Sequence, residues 1–157
     1  MAELTRSQLI YLIASNSGKG ITLRGVDLTN LDMRMLDLSE ADLELANLSS
    51  STLGGANLEK AKLRKAKLEY ADLNETNLRG ANLRDAVLIG ADMRTADVSD
   101  TDMSYADLRG ANLRGANLQR ANLWKADLTG ANLLFTNIEG AKGLPVDIDQ
   151  WINKEKY

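Results

Sequence analysis

The 157-residue chain has no cysteine and no histidine, and only 4% of it is aromatic. Without cysteine there is no disulfide framework and no thiol nucleophile. Without histidine the commonest general base is missing, and with both gone so are the common zinc-binding sets. The single proline, Pro145, lies near the C-terminal end, so the long stretch before it loses no backbone donor to a pyrrolidine ring. No apolar run approaches the roughly 20 residues of a membrane-spanning helix. Residues 1–8 lack the basic start of a secretory leader, and the apolar run Leu9–Ala14 is short for one. Neither sign of charge dominates: 19 Lys and Arg stand against 22 Asp and Glu, a formal net charge of -3. That balance argues against a broad basic field for nucleic acid. The expectation is one soluble, cytoplasmic domain that is not an enzyme and uses no cofactor and no metal.

What the chain does have is a period of five. From Leu23 to Ile138 every fifth residue is a large aliphatic side chain or Met, 24 positions in all, of which nineteen are Leu. The exceptions are Met33, Met93, Val98, Met103 and Ile138. Two residues before each sits a small or apolar residue, most often Ala, and between the two usually sits Asp or Asn. A helix cannot use this spacing, because five residues advance about 140° past a full turn and the leucines would spiral round it. A flat strand cannot either, because residues five apart point to opposite sides. The spacing works when each unit carries its own corner. Ala and Leu, two apart, then point inward from a very short strand, and a bend follows. Such a chain coils, and its coils stack through backbone hydrogen bonds as a β-solenoid. Asp and Asn suit the turns, and Gly recurs just before the Ala at Gly55, Gly80, Gly90, Gly110, Gly115, Gly130 and Gly140.

Charge tests the number of sides. Three sides would stack residues 15 apart and set like charge on like charge more often than opposite charges, which is unfavourable across neighbouring strands. Four sides stack Glu40 on Lys60, Asp42 on Lys62, Glu44 on Arg64, Glu59 on Arg79 and Lys65 on Asp85. Five sides do comparably well, so charge leaves four and five open.

The run, seen plainly in Ala111-Asn112-Leu113-Arg114-Gly115 and Ala116-Asn117-Leu118-Gln119-Arg120, resembles the pentapeptide-repeat proteins, common in bacteria and especially in cyanobacteria. The resemblance covers residues 21 to about 142. It implies an all-β fold, a right-handed quadrilateral β-helix with four pentapeptides per coil. At that count the repeats make about six coils, on the order of 29 Å of stack at ~4.8 Å each. The chain then divides into an N-terminal capping helix and lead-in (1–20), the β-helix (21–142) and a C-terminal capping helix (143–157).

An open solenoid exposes unpaired edges and needs covers at both ends. At the front, Thr5-Arg6-Ser7-Gln8 reads as a capping box with Leu4 and Leu9 placed for a hydrophobic staple. Leu9, Ile10, Leu12 and Ile13 follow at helical spacing, and Gly18 and Gly20 mark the exit. The first coil holds Ile21, Val26, Leu31 and Leu36 at its small positions, which suggests a wider layer packed against that helix. At the back, Asp147-Ile148-Asp149-Gln150 reads as a second capping box, with Ile148, Trp151 and Ile152 on one face. The resemblance adds that some members pair through their C-terminal ends, so the chain is expected to be a monomer or a homodimer through that end.

Chemistry is hard to place on this pattern. The serines have no His partner. Asp92, Asp97, Asp102 and Asp107 lie five apart and so fall on different sides of a square coil. The stacked pairs Asp72/Asp92 and Asp107/Asp127 offer only a weak cation site. The basic stretch Lys60–Lys67 is expected to pair with acids of neighbouring coils rather than bind nucleic acid. The reading is a non-enzymatic protein-interaction or scaffold module, with an unknown protein partner, no direct nucleic-acid contact and no membrane contact. The resemblance supplies an alternative, an acidic DNA mimic that modulates a topoisomerase such as gyrase. Two acidic zones, Asp27 to Glu44 and Asp92 to Asp107, would serve it. For the interaction reading, apolar residues at outward positions mark the candidate site. Val87 and Ile89 share a side with Tyr70 of the coil before if the coil has four sides, and Tyr105 stands at the adjoining corner. Trp124, Leu134 and Phe135 are expected to lie under the C-terminal tail.

Overall fold

The computed structural model describes residues 4–15 and 20–152. Two short helices, α1 (Arg6–Ser15) and α2 (Asp149–Ile152), flank the repeat. Parallel backbone bridges join residues 20 apart along the whole run, from Thr22–Asp42 to Asn122–Lys142. Twenty residues are four pentapeptides, so the coil has four sides, and the choice that charge left open is made by the backbone. Each rung uses the same two bonds. The inward Leu donates to the second residue of the unit one coil on, as from Leu83 N–H to Asp102 O (2.7 Å). The second residue donates back to the small position one coil earlier, as from Asp42 N–H to Ile21 O (2.8 Å).

The corners follow from two local devices. The first is a tight turn in which the next small residue donates to the inward Leu, as from Ala116 N–H to Leu113 O (2.9 Å). The fifth residue of every unit in residues 21–140 then has positive φ, whether it is Gly110 (65°), Lys125 (58°) or Thr95 (54°). Glycine takes this conformation without cost, but other residues do so only under constraint. The second device is the Asp or Asn at the second position. Its Oδ1 accepts the backbone N–H two residues on, as from Arg84 to Asn82 (3.1 Å), Ser99 to Asp97 (3.0 Å) and Thr129 to Asp127 (2.9 Å). This satisfies a donor that the coil itself leaves over.

The core is a ladder of the inward residues. Leu38 through Leu123 are sealed, and the alanines beside them, such as Ala61 and Ala111, are equally inaccessible. Burying a Leu stabilises by roughly 1.5–3 kcal/mol, which compensates for the scarcity of aromatic residues. Where Ser or Thr replaces the Ala, its hydroxyl finds an acceptor. Ser51 donates to Leu48 O (2.7 Å), Thr76 to Leu53 O (2.9 Å), Thr101 to Val98 O (2.7 Å), and Thr136 to Leu133 O.

The expected ladder of vertical ion pairs is corrected. Of the five named stacked pairs, only Glu44 and Arg64 come within ion-pair distance, at 4.0 Å, although Arg24 with Glu44 and Arg120 with Asp100 (2.6 Å), also 20 residues apart, do pair across coils. Lys60 turns to Glu59 (3.5 Å), Arg79 to Asp100 (3.6 Å), and Asp85 receives Arg64 and Arg84 (both 3.7 Å) in place of Lys65. The physical reason lies in the turns. An Asp bonded to the N–H two residues on has its carboxylate directed along its own unit. An Arg at that later position then reaches it, as in Asp32–Arg34 (2.8 Å), Asp92–Arg94 (2.6 Å) and Asp107–Arg109 (2.7 Å).

At the front, Thr5 N–H donates to Gln8 Oε1 (2.8 Å) and Gln8 N–H to Thr5 Oγ1 (3.3 Å), which starts α1. Only Leu9 of this helix is fully buried, and Leu4 and Ile13 pack on the core with it. Ile10, Tyr11 and Leu12 face outward at 44%, 73% and 39% exposure, so the apolar run is wider than the stripe it buries. Leu9 and Ile13 are one helical turn apart, and the end of a narrow coil accepts no broader face. Arg6 anchors the helix to the first coil through Asp32 O (2.7 Å) and Arg34 O (3.0 Å). The bulky Val26, Leu31 and Leu36 of that coil are half-buried against the core, and Ile21 is buried. At the back, Ile148, Trp151 and Ile152 pack on the last coil, and Phe135 N–H donates to Ile152 O (3.2 Å). Gly18, the Gln150 side chain on which the second capping box depends, and residues beyond 152 lie outside the described residues.

Candidate functional site

The register sorts outward residues onto four faces. Face I begins with residues 21–25 and recurs every 20 residues. Faces II, III and IV begin with residues 26–30, 31–35 and 36–40. Each face is therefore a flat stack of five-residue rungs, and a side chain's neighbours are those 20 positions before and after it.

Tyr70, Val87 and Ile89 come together on face II. Val87 bridges Lys67 below and Asp107 above, and Tyr70 N–H donates to Ile89 O (2.9 Å). The Tyr70 ring lies against Gly90, where a Cβ would sit 2.7 Å from the ring edge. Gly90 thus makes room for it, and the ring stays 70% exposed. Val87 and Ile89 are half-buried. Val87, like Lys62 and Lys67, also lacks the carboxylate or amide oxygen that closes the turn in the Asp and Asn units. Tyr105 does stand at the corner between faces I and II, but the groups around its ring belong to face I. Arg84 from the coil before and Lys125 from the coil after sit 5.3 and 5.4 Å from its centre.

Trp124 departs from the sequence-based expectation. In place of cover by the C-terminal tail, it is 57% exposed on face I, its carbonyl accepting the Tyr105 N–H (2.9 Å). Phe135 is likewise 51% exposed, with the Arg114 guanidinium 5.0 Å over its ring on face III. Leu134 is half-buried. Once the register of 20 is known the signal is legible: Arg84 and Trp124 share one column, and Asp85, Tyr105 and Lys125 share the next. Face III also carries an open groove of about 770 Å³ past Arg94, Thr95, Arg114 and Phe135.

The carboxylates are engaged rather than convergent. The Arg94 side chain holds the Asp92 carboxyl below the usual carboxylate range, and Arg109 does the same for Asp107. Asp100 is held down first by Arg120, which reaches it at 2.6 and 2.8 Å. Asp127 is lowered by its bond from Thr129. In the stacked pairs Asp72/Asp92 and Asp107/Asp127, arginine supplies the positive charge that a cation would bring. Among the described residues no cluster of three metal-ligating side chains occurs, and no helix is long and apolar enough to cross a membrane.

Similarity to known proteins agrees with the coil. The family described as pentapeptide repeats matches in eight copies, over residues 19–44, 41–80, 66–104 and 106–142. A pentapeptide repeat protein from the Arabidopsis thaliana thylakoid lumen superposes with a TM-score of 0.51 at 25% identity, covering 85% of this chain and 83% of that one. A pentapeptide repeat protein from Nostoc PCC 7120 is 35% identical over 54% of this chain and 78% of its own, with a TM-score of 0.35. QnrB1 in a trypsin-treated form, a plasmid-mediated fluoroquinolone resistance protein, is 18% identical over 80% of this chain and 72% of its own, with a TM-score of 0.40. A search of curated protein sequences finds no significant match. Repeats matched across most of the sequence, and a backbone that returns every four units, lead to one conclusion: the chain belongs to the pentapeptide repeat family, and its coil is a right-handed β-helix.

Proposed function

We propose that this chain is a non-enzymatic interaction module, a rigid rod that presents an outward face to a protein partner. The observation that carries the reading is the patch on face II. Tyr70, Val87 and Ile89 gather on successive rungs of one face at positions that the repeat mostly fills with polar groups, and removing apolar groups from water drives association. In this reading α1 and the segment around α2 cover the two ends, so that the rod keeps its unpaired edges from other chains. The segments 1–20, 21–142 and 143–157 are then cap, rod and cap. Placement in the cytoplasm rests on the sequence, and the choice between a monomer and a homodimer through the C-terminal end rests on the family resemblance. The DNA-mimic alternative has less support, because Asp92, Asp100 and Asp107 are each bonded to an arginine and do not form an open acidic column.

The test is a double substitution, Val87→Asn with Ile89→Arg, made after a partner has been identified by cross-linking and capture. Both changes restore the repeat's outward polarity. The fold should stay intact, and the complex should weaken by at least ~1 kcal/mol in calorimetry. Unaltered affinity excludes face II.

A further inference from the structure

Face I differs from the other three faces in charge. Within residues 21–140 it carries six basic residues against four acidic, whereas acids outnumber bases on each other face. Its lysines are also free of ion pairs. Lys62, Lys65 and Lys125 have no carboxylate within ion-pair distance among the described residues. On the upper half of this face two exposed aromatic residues, Tyr105 and Trp124, sit on successive rungs, with Arg84 and Lys125 bracketing the Tyr105 ring. Exposed Trp, Tyr and Arg in one cluster are the residue types that anchor protein contacts.

We infer that face I is a second docking surface and that its occupant is an extended acidic polypeptide segment carrying an apolar side chain. Arg84, Lys65 and Lys125 face its carboxylates, and Tyr105 and Trp124 take the apolar group. Asp85 and Asp102 decide against a nucleic acid. Asp85 receives Arg64 and Arg84, and Asp102 accepts from Ser104 N–H and Asn122 Nδ2; both still bring negative charge into the strip, where a polypeptide sets neutral backbone between its carboxylates and a phosphodiester chain sets a charge at every unit. The negative faces on either side steer the segment onto the strip rather than around the rod. This inference rests on reading the chain as an interaction module but not on the face II patch.

Selection from a random twelve-residue peptide display library against the immobilised protein tests it. Peptides enriched on the wild type should be rich in Asp and Glu with an aromatic or leucine residue. They should not be enriched on Arg84→Glu/Lys125→Glu, a pair of outward positions whose melting temperature is checked alongside. A labelled peptide from the selection should lose at least tenfold in affinity to that variant and to Trp124→Ala, and weaken as salt rises. A labelled oligothymidylate should not bind. Neutral or basic selected peptides, or enrichment that survives the charge reversal, overturn the assignment of face I. Enrichment that disappears instead in Val87→Asn/Ile89→Arg moves the site to face II and leaves the interaction module standing. No enrichment on any protein sinks both, and tight oligothymidylate binding lost in the charge reversal replaces the polypeptide by a nucleic acid.

Discussion

At the scale of the residue, the fifth position of each unit is where backbone and side chain disagree most. Every such residue in the coil turns the corner with positive φ, from Gly25 to Gly140, though most are not glycine. The surrounding rungs hold them there, since most of them also donate their N–H to the next coil, as Tyr105 does to Trp124 O (2.9 Å). Gly110 isolates the conformational cost. A Cβ built on it meets nothing within 4 Å, yet its φ is 65°. Gly110→Val should therefore lower stability by about 1–2 kcal/mol from backbone strain alone, and Gly110→Asn by less, because Asn tolerates this region. Thermal melts of the two variants beside the wild type decide it. Equal losses would show that bulk rather than φ matters at the corner. The glycines at this position are visible in the sequence as corner markers. The left-handed state of Tyr70, Thr95 or Phe135 is not, because nothing in those residue types favours it and only the coil imposes it.

At the scale of the element, α1 shows how a helix that is apolar nearly all round distributes its side chains. Leu9 is sealed against the first coil, while Tyr11 stays largely in water. The capping box is legible as Thr5 and Gln8, because it needs only local spacing. Which apolar residues turn inward is not, because the helix meets the coil along a line that the sequence does not mark. The end-cover reading gives an expected outcome. Leu9→Asp places an unpaired charge in the buried apolar cluster, and should detach α1 and destabilise the first coil by several kcal/mol. Tyr11→Asp, two positions on but exposed, should leave the melting temperature nearly unchanged. Hydrogen exchange at the Leu23 and Leu28 amides should quicken in the first variant only. If the two variants melt alike, α1 does not cover the coil.

At the scale of the whole molecule, the inward ladder and the solenoid are readable in the repeat itself, because a five-residue period admits little else. The number of sides is not readable from charge. Asp92, Asp107 and Asp32 satisfy Arg94, Arg109 and Arg34 within their own units, so only some of the stacked charges, such as Asp100 with Arg120, carry the register. The candidate site is legible in part for the same reason: Val87, Ile89 and Tyr70 stand out against a polar rule, whereas Trp124 and Arg84 become neighbours only once the coil is known to close at 20 residues. Arginine pairing also sets the response to acid. The carboxyls of Asp92, Asp100 and Asp107 are all held below the ordinary range by arginine. An unfolded Asp titrates near 3.9. Above that value both states are ionised and the stabilisation is fully present. As pH falls through it, the unfolded chain takes up protons that the fold does not, and the stabilisation is lost progressively toward the folded values. The melting temperature should hold level from neutral pH to about 5 and then drop. In a variant with Arg94, Arg109 and Arg120 changed to Ala, stability at neutral pH should be lower but the drop between about pH 5 and pH 3 shallower. Parallel acid profiles for the two proteins would show that these three pairs do not govern the acid response.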